Sequence, residues 1–340
     1  MKKYVFSAFL PLLLLLSQPI LGMEDYSYNP EVDGVYYTFN DDGTAAVSHK
    51  YHYPYEVGRA RMSTYSGTVV IPEYVEYEGK TYHVTSINEL AFNRCSLESL
   101  TLPSSILKTG KLAFWDCHVS ELHISSWGTW CNIVFDSSDY CLLSTAEHVF
   151  VGGEETDMET IEIPEGTTII GKYCFQGCTA IKKVIIPNSV MTIGACAFYG
   201  CSGLQEIVIP DNVTELGQFA FTGCSGAKSL TIGNGVKTIP DSAFSNCEGL
   251  TTVNVPNTVE FIDVYAFMGC RSLTSVVLPI HLNIISGYVF GNCSSLTSIE
   301  IPQGVTELEN GAFYECNSLT SIKIPDNVEK LGYVVFQDCI

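Results

Sequence analysis

The sequence predicts a solenoid of short parallel β-strands, and three residue types that recur at one spacing predict it. Eight cysteines follow one another every 23 residues from Cys178 to Cys339. Eight phenylalanines keep the same step from Phe175 to Phe336, and prolines keep it from Pro164 onward, with Gly233 at the one missing position. A fixed period of roughly 20 to 50 residues is typical of stacked repeats, in which each unit contacts its neighbours. We therefore expect one continuous array over residues 156–339.

Each repeat has the same internal order, which "LTSIKIPDNVEKLGYVVFQDC" (319–339) illustrates. An alternating strand is followed by a proline, a second apolar segment, and a tight turn that carries Phe and Cys. Strand alternation directs Leu319, Ile322 and Ile324 into the core and turns Ser321 and Lys323 outward. A 23-residue period lies within the leucine-rich-repeat range, in which each unit adds one strand to a parallel stack. The predicted fold is a leucine-rich-repeat solenoid with short turns or single helical turns.

Five segments are predicted along the chain. Lys2 and Lys3 precede the apolar run "FSAFLPLLLLLSQPILG", which indicates a signal peptide at 1–22. A β-rich leader at 23–83 is expected to cap the first strand edge, and irregular repeats follow at 84–117. Cys117 and Cys178 are 61 residues apart, whereas whole repeats would give 46 or 69, so 118–155 is interpreted as an insertion. Eight regular repeats complete the array at 156–339.

Composition limits the partners and the location. The net charge of −20 argues against nucleic acids and anionic membranes, because no cluster of Lys and Arg is present to neutralise phosphates. After signal removal, no segment reaches the roughly 18 apolar residues that a membrane span requires. We therefore expect no membrane insertion of the mature chain, which would be secreted or held at a bacterial cell surface.

The 14 cysteines have two interpretations. In an exported chain they would suggest disulfides. In-register stacking, however, keeps neighbouring Cβ vectors parallel, whereas a disulfide needs a torsion of about 90°. We therefore expect a ladder of buried, reduced thiols that act as small apolar side chains. Cys131 and Cys141 lie outside this register and are the candidates for an exception, and Cys174 and Cys196 receive no assignment.

The repeat "LTSIEIPQGVTELENGAFYECNS" (296–318) resembles the BspA-type leucine-rich repeat of bacterial surface proteins. The resemblance is continuous over 156–339 and extends less regularly to 84–103 and 113–117. The segment ahead of the repeats is similar to the β-rich leader of such proteins. The resemblance implies a binding scaffold whose targets vary, and members of the family are associated with adhesion to host matrix proteins and to other bacteria.

Candidate ligand-binding residues come from two places. One is the outward side of the predicted strands, where the side chains are small, uncharged in the middle and partly apolar. The other is the predicted insertion, where two tryptophans would contact a protein or a sugar or, alternatively, build a small local core. Alternatively, the outward β-branched residues have no binding role and are present because such residues form strands well. The candidates are Ile185, Val208, Thr231, Asn254, Val277, Glu300, Lys323, Trp127 and Trp130.

No catalytic, cofactor or metal site is predicted. The histidines of "HKYH" (49–52) would point to opposite faces of a strand, and no phosphate loop or G-x-S-x-G motif occurs. The predicted function is a secreted or cell-surface, non-catalytic recognition protein, adhesin-like, that binds a protein or glycan of a host matrix or of another bacterium. A carbohydrate-binding surface protein is the first alternative, and a secreted hydrolase is the second.

Overall fold

The computed structural model describes residues 28–50, 55–56, 59–60, 65–136 and 141–339. The predicted signal peptide at 1–22 and parts of the predicted leader lie outside these residues.

The N-terminal part contains fourteen strands and two short helices. In chain order they are β1 (Glu31–Val32), β2 (Val35–Phe39), β3 (Thr44–Ser48), β4 (Tyr55–Glu56), β5 (Arg59–Ala60), β6 (Ser66–Val70), β7 (Tyr74–Tyr77), β8 (Lys80–Ile87), β9 (Ser96–Thr101), β10 (Lys108–Thr109), β11 (His118–Ile124), α1 (Trp127–Cys131), β12 (Val134–Phe135), α2 (Leu142–Thr145), β13 (His148–Val151) and β14 (Glu154–Thr156).

The regular part continues with strands of two or three residues. They are β15 (Thr160–Glu162), β16 (Ile169–Ile170), β17 (Lys183–Ile185), β18 (Thr192–Ile193), β19 (Glu206–Val208), β20 (Glu215–Leu216), β21 (Ser229–Thr231), β22 (Thr238–Ile239), β23 (Thr252–Asn254), β24 (Phe261–Ile262), β25 (Ser275–Val277), β26 (Ile284–Ile285), β27 (Ser298–Ile299), β28 (Glu307–Leu308) and β29 (Lys330–Leu331).

The strands form two rows, and most turns of the chain contribute one strand to each row. The first strand row contains β6, β9, β11 and β13, followed by the odd-numbered strands from β15 to β27. The second strand row contains β3, β8, β10 and β12, followed by the even-numbered strands from β16 to β28 and by β29. Neighbours within a row are parallel, and in the regular part their partners are 23 residues apart, as in Val253 with Val276 and Ile239 with Ile262. The predicted solenoid is confirmed.

The turn that closes each repeat buries its Phe against the Phe of the next repeat. From Phe175 to Phe336 the consecutive rings are stacked, with centroids 5.0 to 5.8 Å apart. The residue before each ladder cysteine has a left-handed backbone, as in Gly200 (φ 72°) and Asn246 (φ 55°). Glycine and asparagine adopt this conformation at low cost, which explains why Gly or Asn most often precedes the cysteine.

Two boundaries differ from the predicted ones. The array begins inside the predicted leader, because β6 is parallel to β9 in the first strand row. The predicted insertion at 118–155 is not a loop outside the stack, because β11 pairs with β9 and with β13. In β11, "HVSELHI" (118–124), the side chains of Val119, Leu122 and Ile124 are buried. The cysteine spacing did not reveal β11 and β13, because neither strand is followed by the regular turn that carries Phe and Cys.

The irregular part and the regular part meet at a junction around α1 and α2. Among the described residues, no strand pair joins β14 to β15 or β12 to β16, so both rows are interrupted there. The connection is made by Trp127, whose ring lies 5.8 Å from that of Phe175, and by the carbonyl of Cys131, which accepts from the Gly171 N–H at 2.8 Å. A ring contact and a backbone hydrogen bond therefore take the place of strand pairing at this point.

Candidate functional site

The outward side of the first strand row exposes apolar side chains. Ile185, Val208 and Val277 are 41, 45 and 60% exposed, whereas the intervening Ile207 and Val276 are 2 and 6% exposed. The pleat of a strand turns successive side chains to opposite faces, so the core is filled without the exposed set. These three residues are placed as the sequence predicts.

Four further candidates lie along the same side. Thr231 and Asn254 are exposed within β21 and β23, and Glu300 is exposed directly after β27. Lys323 is exposed, but residues 319–325 form no strand, which corrects its assignment to an outward strand position. Ile324, which was expected in the core, is 37% exposed. No described strand of the first row pairs with this last segment, so nothing imposes alternation on it.

Charge is confined to the two ends of this face. In the N-terminal half, Lys183 and Glu206 lie 3.9 Å apart on neighbouring strands. The middle strands, β21 and β23, present only hydroxyl and amide side chains, and β25 adds the exposed Val277. A partner that covers only the outward side chains of β21 and β23 therefore desolvates no ionised group among them.

A groove of about 660 Å³ opens on this face between β25 and β27. Val277, Ile280, Glu300 and Gln303 are among its lining residues, and Ile280 is 61% exposed. Sequence reasoning missed Ile280 because it follows Pro279 in a turn rather than lying in a strand. A lining of this kind, apolar with a few polar groups, is typical of sites that receive a side chain or a small ligand.

Trp127 and Trp130 are buried, at 7 and 1% exposure. The indole N–H of Trp130 donates to the carbonyl of Cys174 at 2.8 Å, and its ring packs against that of Phe135. A buried Trp with its N–H satisfied is a core residue, and neither ring has a face free for a sugar. The predicted ligand contact by these two residues is therefore corrected, and the alternative of a local core describes them.

A second cleft, of about 400 Å³, lies beside the second strand row. Tyr265, Tyr288, Glu309 and Asn310 line it, together with backbone at Gly287 and Gly332. The two tyrosine rings stack at 5.5 Å, and the Tyr288 ring occupies the space that a Cβ would need at Gly311. Comparing equivalent positions of successive repeats would have found this pair, because both rings occupy the left-handed position two residues before the Phe.

The ladder thiols are hydrogen-bond donors rather than nucleophiles. Each thiol from Cys201 to Cys339 donates to the carbonyl of the Phe 26 residues earlier, with S to O distances of 3.0 to 3.3 Å. Burial raises the pKa of Cys224, Cys270 and Cys316 to about 12. The thiolate is the reactive form, so these groups are inert near neutral pH.

Two features are absent from the described residues. These residues contain no group of three or more His, Cys, Asp or Glu side chains placed to hold a metal ion. No helix in the same part of the chain has the length and apolarity needed to cross a bilayer.

Comparison with solved structures gives matches along most of the chain. A leucine rich cell surface protein from Faecalibacterium prausnitzii is 25% identical, with a TM-score of 0.53 over 93% of this chain and 93% of that one. A leucine-rich repeat protein from Bacteroides ovatus is 23% identical, with a TM-score of 0.54 over 92 and 93%. The pneumococcal vaccine antigen PcpA is 21% identical, with a TM-score of 0.53 over 89 and 77%. The last two likenesses show the fold alone.

Comparison with curated proteins gives no match. A family model described as the BspA type Leucine rich repeat region matches in six copies, over residues 79–141, 147–274 and 260–340. These matches cover well over half of the chain and include the irregular repeats as well as the regular ones. The chain belongs to the BspA-type leucine-rich repeat family.

Proposed function

We propose that this chain is a non-catalytic recognition protein, secreted or held at the cell surface, that binds a host or bacterial protein through the outward side of its first strand row. The observation that carries the proposal is the set of exposed aliphatic side chains along this row, which ends in the groove at Val277 and Ile280. Leucine-rich-repeat solenoids are typically non-enzymatic, and a related solved structure is described as a cell surface protein. The signal peptide predicted at 1–22 supports export.

The physical argument rests on rigidity and desolvation. The outward residues stand on strands whose inward neighbours are buried, so a partner meets side chains that are already ordered. Pre-ordered side chains reduce the entropy lost on binding, and the exposed aliphatic groups gain from the removal of water. Hot spots are typically a few anchors in a well-packed centre, and the groove at Val277 is the place for one.

The test introduces charge on this face. The triple variant Ile185→Glu, Val208→Glu, Val277→Glu should fold normally, because its three side chains point to solvent. It should bind a host matrix protein fraction or a bacterial surface fraction at least tenfold more weakly than the wild type, since each buried carboxylate must be desolvated. Binding is measured by pull-down and then by titration of the captured component.

The matched control places the same charge on the second strand row. Ile169→Glu, Thr238→Glu, Phe261→Glu changes three outward residues, of which Ile169 and Phe261 are 45 and 39% exposed. This variant should bind like the wild type. Equal affinity of both triple variants would show that the first strand row is not the binding face.

A second candidate function is saccharide binding at the cleft lined by Tyr265 and Tyr288, here called the tyrosine cleft. It is considered in place of Trp127 and Trp130 because those two aromatic residues are buried. Within the described chain, no hydrogen bond reaches the hydroxyl groups of Tyr265 and Tyr288 or the side-chain NH₂ of Asn310. Glu309 accepts from the Gly287 N–H at 2.8 Å through one carboxylate oxygen and keeps the other available. Donors and acceptors that converge beside aromatic rings suit a ligand rich in hydroxyl groups.

Two substitutions separate this candidate from the first. Tyr265→Phe and Asn310→Ala remove cleft groups without touching the first strand row. Screening the wild type against a glycan array should identify a bound saccharide whose signal falls in both variants. Loss of saccharide binding in the Ile185, Val208, Val277 triple variant, with both cleft variants unaffected, would exclude the cleft.

A further inference from the structure

The junction around α1 and α2 contains four buried cysteines whose thiols do not make the hydrogen bond to a Phe carbonyl that the ladder thiols make. They are Cys131 in α1, Cys141 before α2, and Cys174 and Cys178 in the first regular turn. The sulfur atoms of Cys131 and Cys174 are 3.8 Å apart, and both residues are 0% exposed. Each ladder thiol from Cys201 to Cys339 instead meets a backbone carbonyl.

The backbones that carry these two cysteines are held together by independent contacts. The Cys131 carbonyl accepts from the N–H of Gly171, and the Cys174 carbonyl accepts from the indole N–H of Trp130, both at 2.8 Å. The Cys141 thiol also donates to the Cys174 carbonyl, at 3.2 Å. These contacts therefore hold Cys131 and Cys174 facing each other across the junction, whereas the ladder cysteines are stacked in register.

We propose that Cys131 and Cys174 form a disulfide that fastens the irregular N-terminal part of the solenoid to its regular part. The cross-link lies where the described residues have no strand pair between the two parts, so it supplies a covalent connection in place of the missing ladder. The geometric objection to disulfides in the ladder, parallel Cβ vectors, does not apply to cysteines from a helix and a turn.

The reaction is a thiol–disulfide exchange. The thiols of Cys131 and Cys174 lose two protons and two electrons and form one S–S bond, while a disulfide oxidant, such as oxidised glutathione or a protein disulfide of the export compartment, is reduced to two thiols. The supply of that oxidant in the cell rests on the export included in the proposed function. The chemistry of the pair does not, because the oxidant is added directly in the test below.

The timing follows from burial. Burial and the neighbouring Cys131 thiol raise the pKa of Cys174 well above its ordinary value, so the attacking thiolate is scarce in the folded chain. The bond is expected to form as the junction packs during folding, while the two thiols are still accessible to the oxidant. Once formed, it lies away from solvent and resists reductants.

The test compares the chain refolded from denaturant in two buffers, one with oxidised and reduced glutathione and one with reductant only. After alkylation in denaturant, a non-reducing peptide map of the first sample should contain one linked pair, Cys131 with Cys174. The ladder cysteines from Cys201 to Cys339 should be alkylated in both samples. A Cys131 that is alkylated in the glutathione sample, or linked to any other cysteine, would overturn the proposal.

Thermal melting gives a second measurement. The cross-link closes a loop of 43 residues, and the glutathione sample of the wild type should melt about 5 °C above the reduced sample. The difference should disappear in Cys131→Ala and persist in the matched ladder variant Cys224→Ala. Each variant is compared with itself, so a general loss of stability does not affect the result. Persistence of the difference in Cys131→Ala would contradict the proposal.

Discussion

The regular repeats at 156–339 and the junction around α1 and α2 bury the same kinds of side chain but connect them differently. In the regular repeats, every ring stacks on an equivalent ring and every thiol from Cys201 onward donates to an equivalent carbonyl. At the junction, Trp127 meets Phe175 at a 55° tilt, and the Cys131 thiol meets the Cys174 thiol. The first region repeats one set of contacts at a 23-residue spacing, whereas the second joins residues that share no such spacing.

The sequence specifies the two regions in different ways. Repeated contacts are interchangeable, so the stability of the array is close to a sum of equal turns and interfaces. Unique contacts cannot be exchanged, so they determine which segment closes the junction. Three predictions test the repeated contacts, starting with the largest expected effect, and the disulfide test above covers the junction.

Alkaline pH should destabilise the regular repeats strongly. Cys224, Cys270 and Cys316 have a pKa of about 12 when folded and an ordinary value of 9.0, so between these values the unfolded chain is ionised and the folded chain is not. Stability from these groups is complete below about pH 9 and is lost as the pH rises toward 12. Three thiols give a slope of up to ~4 kcal/mol per pH unit in the free energy of unfolding.

The measurement is urea unfolding at pH values from about 8.5 to 10.5. The control is the triple variant Cys224→Ala, Cys270→Ala, Cys316→Ala, which is less stable at neutral pH but should show a correspondingly shallower slope. Equal slopes for the wild type and the triple variant would show that the ladder thiols are not protected from ionisation.

Removing one Phe ring from the middle of the stack should lower the free energy of unfolding by less than the pH change does. It should lower it by more than the removal of any single thiol. Phe267 is 0% exposed and stacks on Phe244 and Phe290 at 5.4 and 5.8 Å. Phe267→Ala leaves a cavity between two rings and should lower the free energy of unfolding by ~3 to 5 kcal/mol.

The matched control for the stack is Tyr265→Ala, two residues earlier in the same turn and 38% exposed. It should cost less than half as much in the same urea titration, because its ring is partly in water. A cost for Phe267→Ala below that of Tyr265→Ala would contradict the view that the buried stack holds the regular repeats together.

The smallest expected effect is the difference in unfolding free energy between removing a ladder thiol and removing the thiol of a cysteine outside the ladder. Cys247 is 0% exposed and donates to the Phe221 carbonyl at 3.2 Å, whereas Cys196 is partly exposed and has no ladder contact. Cys247→Ala should cost ~1 to 2 kcal/mol through the lost hydrogen bond and the cavity. Cys196→Ala should change the free energy of unfolding by less than ~0.5 kcal/mol. Equal effects in thermal or urea unfolding would remove the distinction.

The regular part of the fold could be predicted closely because its contacts join positions one period apart. Phe, Cys and the inward strand residues recur at that period, so their burial and stacking follow from alignment of the repeats. The exposure of Ile185, Val208 and Val277 was predictable for the same reason, combined with strand alternation. The exposed Ile280 was not, because it depends on how turns of adjacent repeats meet, whereas the Tyr265 and Tyr288 pair could have been found by comparing equivalent positions of the repeats.

The sequence by itself determined the period, the two apolar segments in each repeat and the burial of the recurring Phe and Cys, because a side-chain pattern at a constant spacing has one compatible stacking register. The tertiary structure decided what happens where that spacing fails. It placed β11 and β13 in the first strand row, buried Trp127 and Trp130, and opposed Cys131 to Cys174. The physical reason is that contacts at the junction join residues with no common register, so their partners are set only when the two parts of the chain pack together.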